Sequence, residues 1–430
     1  MSVRLFHSSA ASFVQQVARS LAEAGQLERF ITGVRDDPGR VRQRVICALG
    51  RLAGRDLAAQ FRRRAITEIP LETVEAHPWG ELLRLAVGAV DRDGRATDFV
   101  WDHAEQAFDR RVARGLDASL TGVYGFEYGA LATLRRAHDL GLRTVYDVPA
   151  PESRQVHALL DAELDQFPEL RTPYHRYTQK REEARTARRR AEWDAADLIL
   201  VNSRFTAESY ARAGLDCSRV RVATLGAPPP LPRELALAGP GDGRPLTLLW
   251  AGTFGVRKGA HHLLAAWRAA GLGRIARLKI HGTLALPERV MRPLPEGVEI
   301  GGSIPRTELL ERYREADALI FPTLCDGFGM VVTEAWSRGL PVITTDRAGV
   351  VDLCTPGQNA LVIRAGDPGA ISEAVEWCAT HRAALRAMRE AALATAAGWQ
   401  WSDYRRQHAS LLRAAGIFGP NPPAGSSDRP

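Results

Sequence analysis

One pattern constrains the fold of this 430-residue chain more than any other, the alternation of short apolar runs with amphipathic stretches of helical period. In the first half such apolar runs lie at Val3–Phe6, Ser119–Tyr124, Thr144–Val148 and Leu198–Asn202. Strands that alternate with helices favour a parallel sheet covered by helices on both faces. The segment 26–118 is rich in arginine and leucine without a clean period, and we interpret it as mixed helix.

A segment rich in proline and glycine, which begins at Gly226, interrupts this pattern because it suits neither a helix nor a central strand. The alternation then restarts, with apolar runs at Leu246–Ala251, Arg277–His281, Val298–Ile300, Ala318–Phe321, Pro341–Thr344 and Leu361–Ile363. We predict an α/β fold of two Rossmann-like, doubly wound domains that face each other across a cleft. The predicted parts are an N-terminal domain (1–228), a linker (229–245), a C-terminal domain (246–398), a helix that packs back on the N-terminal domain (399–416) and a disordered tail (417–430).

Composition excludes several classes of protein. The chain is 45% apolar and 25% charged, which is typical of globular domains. Its 57 basic and 50 acidic residues give a net charge of +7 that is spread along the chain, so nucleic-acid binding is not indicated. Five cysteines without a C-x-x-C pair indicate neither a disulfide framework nor a structural zinc site. With no signal peptide or long apolar segment, we expect a cytoplasmic protein.

A glycine-containing turn follows the predicted strand 246–251 and precedes a predicted helix. It contains Gly252 and Thr253, and then the adjacent cations Arg257 and Lys258. Backbone amides at the start of a helix favour an anion, and two full positive charges strengthen that preference. The turn therefore predicts a phosphate site, although a turn whose basic residues face water has the same sequence features.

A second loop follows the predicted strand 318–321 and leads into a helix that ends near Gly339. Asp326 lies in this loop and Glu334 lies eight positions later, inside the helix. The intervening stretch 327–330 contains two glycines, which let a ligand approach the backbone closely. Paired carboxylates beside exposed amides suit hydroxyl groups and a phosphate together, while solvated acids remain the alternative interpretation.

These motifs and their order resemble the signatures of retaining nucleotide-sugar glycosyltransferases of the GT-B fold, of the group 1 type. The resemblance rests on Arg257-Lys258-Gly259, on the stretch from Ser303 to Asp317, on Phe321-Pro-Thr, on Asp326-Gly-Phe-Gly with Glu334-Ala, and on the stretch from Thr345 to Asp352. It implies that Lys258 binds the donor diphosphate. It also implies that Asp326 and Glu334 occupy the two acidic positions of the family's E-x7-E motif, which contact the donor sugar and the nucleotide ribose.

The resemblance implies a larger set of donor-binding residues than the three catalytic candidates Lys258, Asp326 and Glu334. The set comprises Gly252, Thr253, Arg257, Lys258, Ile304, Gly327, Phe328, Gly329, Met330 and Glu334. The sequence departs from the family pattern at Thr253, where many relatives have arginine, at Asp326, where they have glutamate, and at Tyr146, near a usual histidine. Arg257 is the candidate replacement for the missing arginine. The family does not depend on a bound divalent ion, so we expect no metal and no cofactor.

On the acceptor side, the candidates come from the predicted carboxyl ends of strands in the first domain, where ligands gather in open α/β sheets. They are His7, Ser8, Tyr124, Tyr146 and Asp147. No partner for His7 is evident in the sequence, and a packing role is the alternative for each of these residues.

The resemblance therefore implies an enzyme of the hexosyltransferase class. It would move a sugar from a nucleotide-sugar donor to a carbohydrate, lipid-linked or other hydroxyl acceptor with retention of configuration, in polysaccharide, glycolipid or glycoconjugate biosynthesis. Two alternatives stay open, a nucleotide-sugar epimerase or hydrolase of the same fold and a catalytically degenerate binding or scaffold protein. The basic stretch Arg62–Arg64 also leaves room for peripheral contact with the inner face of a membrane.

Overall fold

A computed structural model describes residues 2–39, 43–44, 47–48, 57–62, 64–241 and 243–417. These residues form one seven-stranded and one six-stranded sheet, and every pairing between neighbouring strands is parallel. The prediction of two Rossmann-like domains is thereby confirmed.

The first sheet has the strand order β3-β2-β1-β4-β5-β6-β7. Its strands are β1 (Val3–His7), β2 (Leu27–Thr32), β3 (Val74–Ala76), β4 (Gly122–Phe126), β5 (Arg143–Val148), β6 (Leu198–Val201) and β7 (Val220–Val222). In the centre of the sheet, Leu5 of β1 pairs with Phe30 on one side and with Tyr124 on the other. The strand order reverses between β1 and β4, and ligands of open α/β sheets bind at the carboxyl ends of the strands at such a reversal.

The interpretation of 26–118 as mixed helix was wrong in part, because β2 and β3 lie within it. Only the second half of β2 is buried, and β3 has three residues at the sheet edge. A half-buried strand and a short edge strand carry too few apolar residues for a visible alternation.

Helices cover the first sheet. They are α1 (Ser12–Glu23), α2 (Leu57–Arg62), α3 (Trp79–Gly88), α4 (Arg95–Arg114), α5 (Leu131–Asp139), α6 (Ser153–Gln166), α7 (Pro173–Gln179), α8 (Glu182–Asp194) and α9 (Arg204–Arg212).

The second sheet has the order β10-β9-β8-β11-β12-β13, so its strand order reverses between β8 and β11. Its strands are β8 (Leu246–Ala251), β9 (Ala276–His281), β10 (Val298–Gly302), β11 (Ala318–Phe321), β12 (Val342–Thr345) and β13 (Ala360–Ile363). The helices of this half are α10 (Arg233–Ala238), α11 (Ala260–Ala269), α12 (Glu288–Met291), α13 (Arg306–Glu315), α14 (Met330–Trp336), α15 (Pro368–Thr380), α16 (Arg382–Gly398) and α17 (Trp401–Ala414).

The segment predicted as a linker contains a short helix, α10, which the sequence interpretation excluded. The helix begins directly after Pro232 and ends directly before Gly239, so the helix breakers flank it rather than interrupt it. Its Ala236 is fully buried, and the Ala236 carbonyl accepts hydrogen bonds from Nε and Nη2 of Arg389 at 3.1 and 2.9 Å. Part of the linker is therefore anchored to α16. The domain limits themselves stay a prediction.

The last helix, α17, packs against α1 of the first domain. Nδ1 of His408 lies 2.9 Å from the Ser20 hydroxyl, and Nε2 of His408 lies 3.1 Å from the Tyr124 hydroxyl. Ile417, placed in the predicted disordered tail, is buried, and its amide donates to the Leu412 carbonyl over 3.0 Å. The rest of that predicted tail, residues 418–430, lies outside the described residues. In the part of the chain that the structure describes, no helix is both long enough and apolar enough to cross a membrane.

Candidate functional site

The two predicted motifs meet at the point where the strand order of the second sheet reverses. The turn 252–259 follows β8 and the loop 322–329 follows β11, and these two strands are neighbours in the sheet. In open α/β sheets, ligands bind outside the carboxyl ends of the strands at such a switch point. The topology therefore creates one candidate site from two segments that are about 70 residues apart in sequence.

Lys258 and Asp326 form an ion pair that joins the two segments. The Lys258 ammonium also lies 4.9 Å from the centroid of the Phe321 ring, at the end of β11. Burial and the neighbouring Arg257 guanidinium lower the pKa of Lys258 to about 7. The Asp326 carboxylate acts in the opposite direction, because an adjacent negative charge favours the ammonium.

Arg257 ties the same two segments together through its side chain and its backbone. Its Nη1 donates to the Cys325 carbonyl over 3.1 Å, and its own carbonyl accepts from the Leu324 amide over 3.0 Å. Gly252 and Thr253 are exposed at the start of the turn, where the amide of Gly252 donates to the His281 carbonyl over 2.8 Å. The turn is therefore fixed at both ends.

The backbone around Asp326 is held by a short network of hydrogen bonds. The carboxylate of Asp326 accepts from the amide of Phe328 over 3.2 Å, and its carbonyl accepts from the amide of Gly349 over 3.0 Å. Gly329 has a φ of +97°, which glycine adopts readily, and precedes α14. Gly327 and Phe328 are buried, whereas Met330 is half-buried. The loop is thus preorganised before any ligand binds.

Glu334 lies one turn inside α14 and has different partners from Asp326. Its carboxylate accepts from Nε of Arg306 over 2.9 Å and from the Tyr313 hydroxyl over 3.4 Å. Arg306 begins α13 and follows the half-buried Ile304 by two residues. The structure therefore joins Lys258 to Asp326, while Glu334 is paired with a cation that the sequence interpretation had not selected.

The loop that carries Asp326 also contacts the first domain. The Gly327 carbonyl accepts from the Ser203 hydroxyl over 2.6 Å and from the Thr206 hydroxyl over 3.3 Å. A Cβ atom built on Gly327 would lie 2.2 Å from the carbonyl oxygen of Pro149, which follows β5. The carboxyl ends of β5 and β6 therefore approach the loop after β11.

Two of the five predicted acceptor-side residues lie in the core of the first domain. Tyr124 and Tyr146 are fully buried, and their hydroxyls donate to Asp147 over 2.6 Å and to Glu192 over 2.7 Å. Each tyrosine lies within its strand rather than at the end, so its ring packs under a helix. Asp147 is buried as well, and burial raises its pKa to about 7.

His7 and Ser8 do lie at the carboxyl end of β1. The His7 ring packs edge-on against Phe126 with 4.8 Å between centroids, and its Nδ1 accepts from the Ser9 amide over 2.9 Å. Burial lowers the pKa of His7 to about 4, which keeps the ring neutral. Ser8 donates its hydroxyl to Glu105 over 2.5 Å. His7 is therefore packed and internally bonded, while Ser8 borders a cavity.

That cavity has a volume of about 490 Å³ and lies at the carboxyl ends of β1, β2 and β3. Its lining includes Ser8, Arg35, Trp79, Arg84, Trp101 and Glu105. Trp79 is 72% exposed, which is unusual for so large an apolar side chain. The volume is within the range of small-ligand sites. Sequence reasoning missed this cavity because most of its walls come from the aperiodic segment 26–118.

Comparison with known protein families finds a match in the second half of the chain. Residues 245–381 match the family Glycosyl transferases group 1. D-inositol 3-phosphate glycosyltransferase 1 of Catenulispora acidiphila is 29% identical over 120 residues, which are 28% of this chain and 29% of that protein. Glycogen synthase of Mycobacterium tuberculosis is 27% identical over 182 residues, which are 40% of this chain and 43% of the synthase. The alignments thus span less than half the length of these curated relatives.

Solved structures match almost the whole chain. Sucrose-phosphate synthase from Thermosynechococcus elongatus has a TM-score of 0.62 at 18% identity, over 96% of this chain and 98% of that one. Anabaena HepE in complex with UDP has a TM-score of 0.61 at 14% identity, over 96% of this chain and 100% of that one. At such identities the likeness concerns the fold. The chain therefore contains a Glycosyl transferases group 1 domain in residues 245–381, and its two Rossmann-like halves have the GT-B architecture.

Proposed function

We propose that this protein transfers a sugar from a nucleotide-sugar donor to a hydroxyl acceptor, with retention of the anomeric configuration. The observation that carries the proposal is the pairing of Lys258 with Asp326 at the switch point of the group 1 domain, opposite the strand ends of the first domain. HepE, a structural neighbour, has been crystallised with UDP and with UDP-glucose. UDP-sugars are therefore the donors to test first.

The cations of the turn suit the leaving group of this reaction. Cleavage of a glycosyl–phosphate bond places negative charge on the departing diphosphate and positive charge on the sugar ring. Arg257 and Lys258 precede α11, whose first amides add a partial positive charge. Groups that are fixed before the reaction stabilise such charge without reorganisation. We assign Lys258 to the diphosphate, with Arg257 in support.

The acids suit the rest of the donor. In the absence of donor, Asp326 neutralises Lys258, and an arriving diphosphate would compete for the same ammonium. The Asp326 carboxylate would then be released to accept hydrogen bonds from sugar hydroxyls. Glu334, which is oriented by Arg306, would contact the nucleotide ribose.

The cavity beside Ser8 is the candidate acceptor site. Its aromatic walls, Trp79 and Trp101, suit the apolar faces of a sugar ring, and Glu105 and Arg84 offer hydrogen-bonding groups. We propose a carbohydrate or sugar-like acceptor, with a role in polysaccharide, glycolipid or glycoconjugate biosynthesis. A lipid-linked acceptor and peripheral contact with the cytoplasmic face of a membrane stay predictions, and flotation with anionic vesicles tests them.

Retention requires attack on the face from which the diphosphate leaves. In this arrangement a phosphate oxygen of the leaving group accepts the acceptor proton, so no protein base is needed. Because Arg257, Lys258 and the start of α11 supply positive charge at the diphosphate, we expect the transfer step to need no metal. We do not assign Asp147 or His7 a proton-transfer role.

The test uses purified protein and a panel of nucleotide sugars. Thermal shift selects the donor, because a ligand that binds only the folded state raises its stability. Proton NMR of the product formed with simple sugar acceptors then gives the anomeric configuration. Transfer with retention supports the proposal. Donor hydrolysis or epimerisation without acceptor supports the epimerase or hydrolase alternative, donor binding without turnover supports a binding protein, and an inverted product refutes the retaining mechanism.

A further inference from the structure

A cluster of metal-ligand side chains lies between the two domains, outside the proposed transfer site. Nε2 of His261 and Nε2 of His262 each lie 2.8 Å from the same oxygen, Oε2 of Glu163. One ligand atom from each of the three residues lies within 4.8 Å of the others. Glu163 comes from the last turn of α6, whereas the two histidines open α11. The site is therefore formed only when the domains are in contact.

The histidines are buried and incompletely paired. His261 is 6% exposed and His262 is 3% exposed, and the Nδ1 atom of each ring is buried without a hydrogen-bond partner. Phe167 packs edge-on against both rings, at centroid distances of 5.3 and 5.5 Å. The two adjacent imidazoles lie in an apolar setting, and both are directed at one carboxylate oxygen. Only one of the two nitrogens in each ring therefore has a hydrogen-bond partner. Both rings present Nε2 to the same carboxylate oxygen.

The surroundings leave room at the ligand atoms. A Cβ atom built on Gly366 would lie 3.6 Å from Cδ2 of Leu324, 3.8 Å from Nε2 of His262 and 3.9 Å from Oε1 of Glu163, so Gly366 borders the ligand atoms without a side chain of its own. The Glu163 side chain is 15% exposed, which gives an approach from solvent. The cluster therefore offers three ligand atoms and an approach from the solvent side of Glu163.

We propose that His261, His262 and Glu163 form a binding site for a divalent transition-metal ion, with Zn²⁺ as the first candidate. Two imidazole nitrogens and one carboxylate oxygen are ligands that Zn²⁺ accepts, with water in the fourth position. Metal–ligand distances of about 2.0–2.2 Å require ligand atoms about 3.4 Å apart in tetrahedral geometry. Each Nε2 atom would therefore move about half an ångström away from Oε2 of Glu163, and each neutral imidazole would carry its proton on Nδ1.

The position of the cluster gives the metal a structural role. His261 follows Lys258 by three residues, so an ion at this site would fix the start of α11, and with it the turn that carries Lys258, against α6 of the first domain. The ion takes no part in the transfer chemistry. The proposal does not depend on the proposed function, because metal binding is measurable without any substrate.

The experiment uses full-length protein stripped with a chelator and then titrated with ZnCl₂ by calorimetry. A second measurement records the visible absorption of the Co²⁺ form, because tetrahedral Co²⁺ has intense bands. We expect one tight site per chain, a rise in melting temperature and tetrahedral Co²⁺ bands. His261→Gln and His262→Gln should each weaken binding at least tenfold. His77→Gln is the matched control, and its affinity for Zn²⁺ should equal that of the wild-type protein. His77 pairs with Glu75 and is not part of the cluster.

Two results would overturn the proposal. One is the absence of saturable Zn²⁺ binding to the wild-type protein. The other is equal affinity in the double variant His261→Gln/His262→Gln, which would mean adventitious binding elsewhere. If the histidine variants do not fold, Glu163→Gln and the Co²⁺ spectrum of the wild-type protein decide the question, because octahedral bands are incompatible with this site.

Discussion

The hydroxyl of Ser203 donates to the carbonyl oxygen of Gly327 over 2.6 Å, and this bond joins the end of β6 to the loop that carries Asp326. Ser203 also caps α9 by accepting from the Thr206 amide over 3.1 Å. The serine is buried and fixed by the helix it starts. The position of the Asp326 loop is therefore set by the first domain as well as by its own sheet.

Gly327→Ala tests this contact. The added Cβ would lie 2.2 Å from the Pro149 carbonyl oxygen, which is backbone and cannot move away cheaply, so the domains must separate at this edge. We expect a loss of at least tenfold in transfer rate while the circular dichroism spectrum stays native. In the control Gly398→Ala, the new Cβ meets no atom within 4 Å, and activity should be kept. Wild-type kinetics for Gly327→Ala would refute a role for this contact.

Lys258→Ala should lower the transfer rate by about 10²–10³-fold, the usual effect of removing one preorganised electrostatic donor. Steady-state kinetics with the selected donor measure the loss. Lys180 provides the matched control, because it is exposed at the end of α7. Lys180→Ala should behave as the wild-type protein, and an equal loss in both variants would indicate a general effect of charge.

The affinity for UDP should fall as the pH rises above about 7. Because the pKa of Lys258 is lowered to about 7, the ammonium that attracts the diphosphate loses its proton in this range. Calorimetric titrations between about pH 7 and 9.5 measure the effect while the phosphate charge, with a pKa near 6, stays constant. Lys258→Arg should flatten the profile, because arginine remains charged. Asp326→Asn should leave less of this fall above about pH 7, since removal of the carboxylate that favours the ammonium lets Lys258 lose its proton at lower pH. A flat profile in the wild-type protein would contradict the role of Lys258.

Glu334→Gln should reduce kcat/KM for the donor at least tenfold with little effect on stability. The change leaves Arg306 without its ion pair. Because Arg306 is exposed to water, the change creates no buried unpaired charge. Glu308→Gln is the control, since Glu308 forms an ion pair within its own helix with Arg312 at 2.9 Å. If both variants keep wild-type donor kinetics, Glu334 has no role in donor binding.

His408→Gln tests the contact between α17 and α1 through the pH dependence of stability. Burial lowers the pKa of His408 to about 3, so the folded state holds the ring neutral. The unfolded ring has a pKa near 6.5, so the unfolded state gains the proton first and wild-type stability is lost as the pH falls from about 6.5 towards 3. Urea unfolding at pH 7.5 and pH 5 should show a smaller acid-induced loss in His408→Gln. His138→Gln, at an exposed position, should retain the wild-type pH dependence.

The sequence predicted the second sheet better than the first for a physical reason. Strands such as β8 and β11 are buried on both faces, and all their residues except Thr247 are apolar. In contrast, β2 exposes its first half, and charged residues there hide the strand. The meeting of Lys258 with Asp326 was also predictable, because neighbouring parallel strands bring their carboxyl ends together.

Other features of the site depend on tertiary packing that one sequence does not encode locally. Tyr124 and Tyr146 lie near strand ends in sequence, yet both rings point into the core. The partner of His261 and His262 is Glu163, nearly a hundred positions earlier in another domain. No spacing rule connects such residues, so only the arrangement of α6 against α11 reveals the cluster.

Helix α17 gives the chain an order of assembly that is opposite to its order of synthesis. Tyr404 and Leu412 of this helix share a buried cluster with Val14, Val17 and Leu21 of α1. During synthesis on the ribosome, the sheet of the second domain can be buried before α17 has emerged. The apolar face of α1 that α17 covers stays exposed until then. The half of the protein that is made first is therefore the half that is finished last.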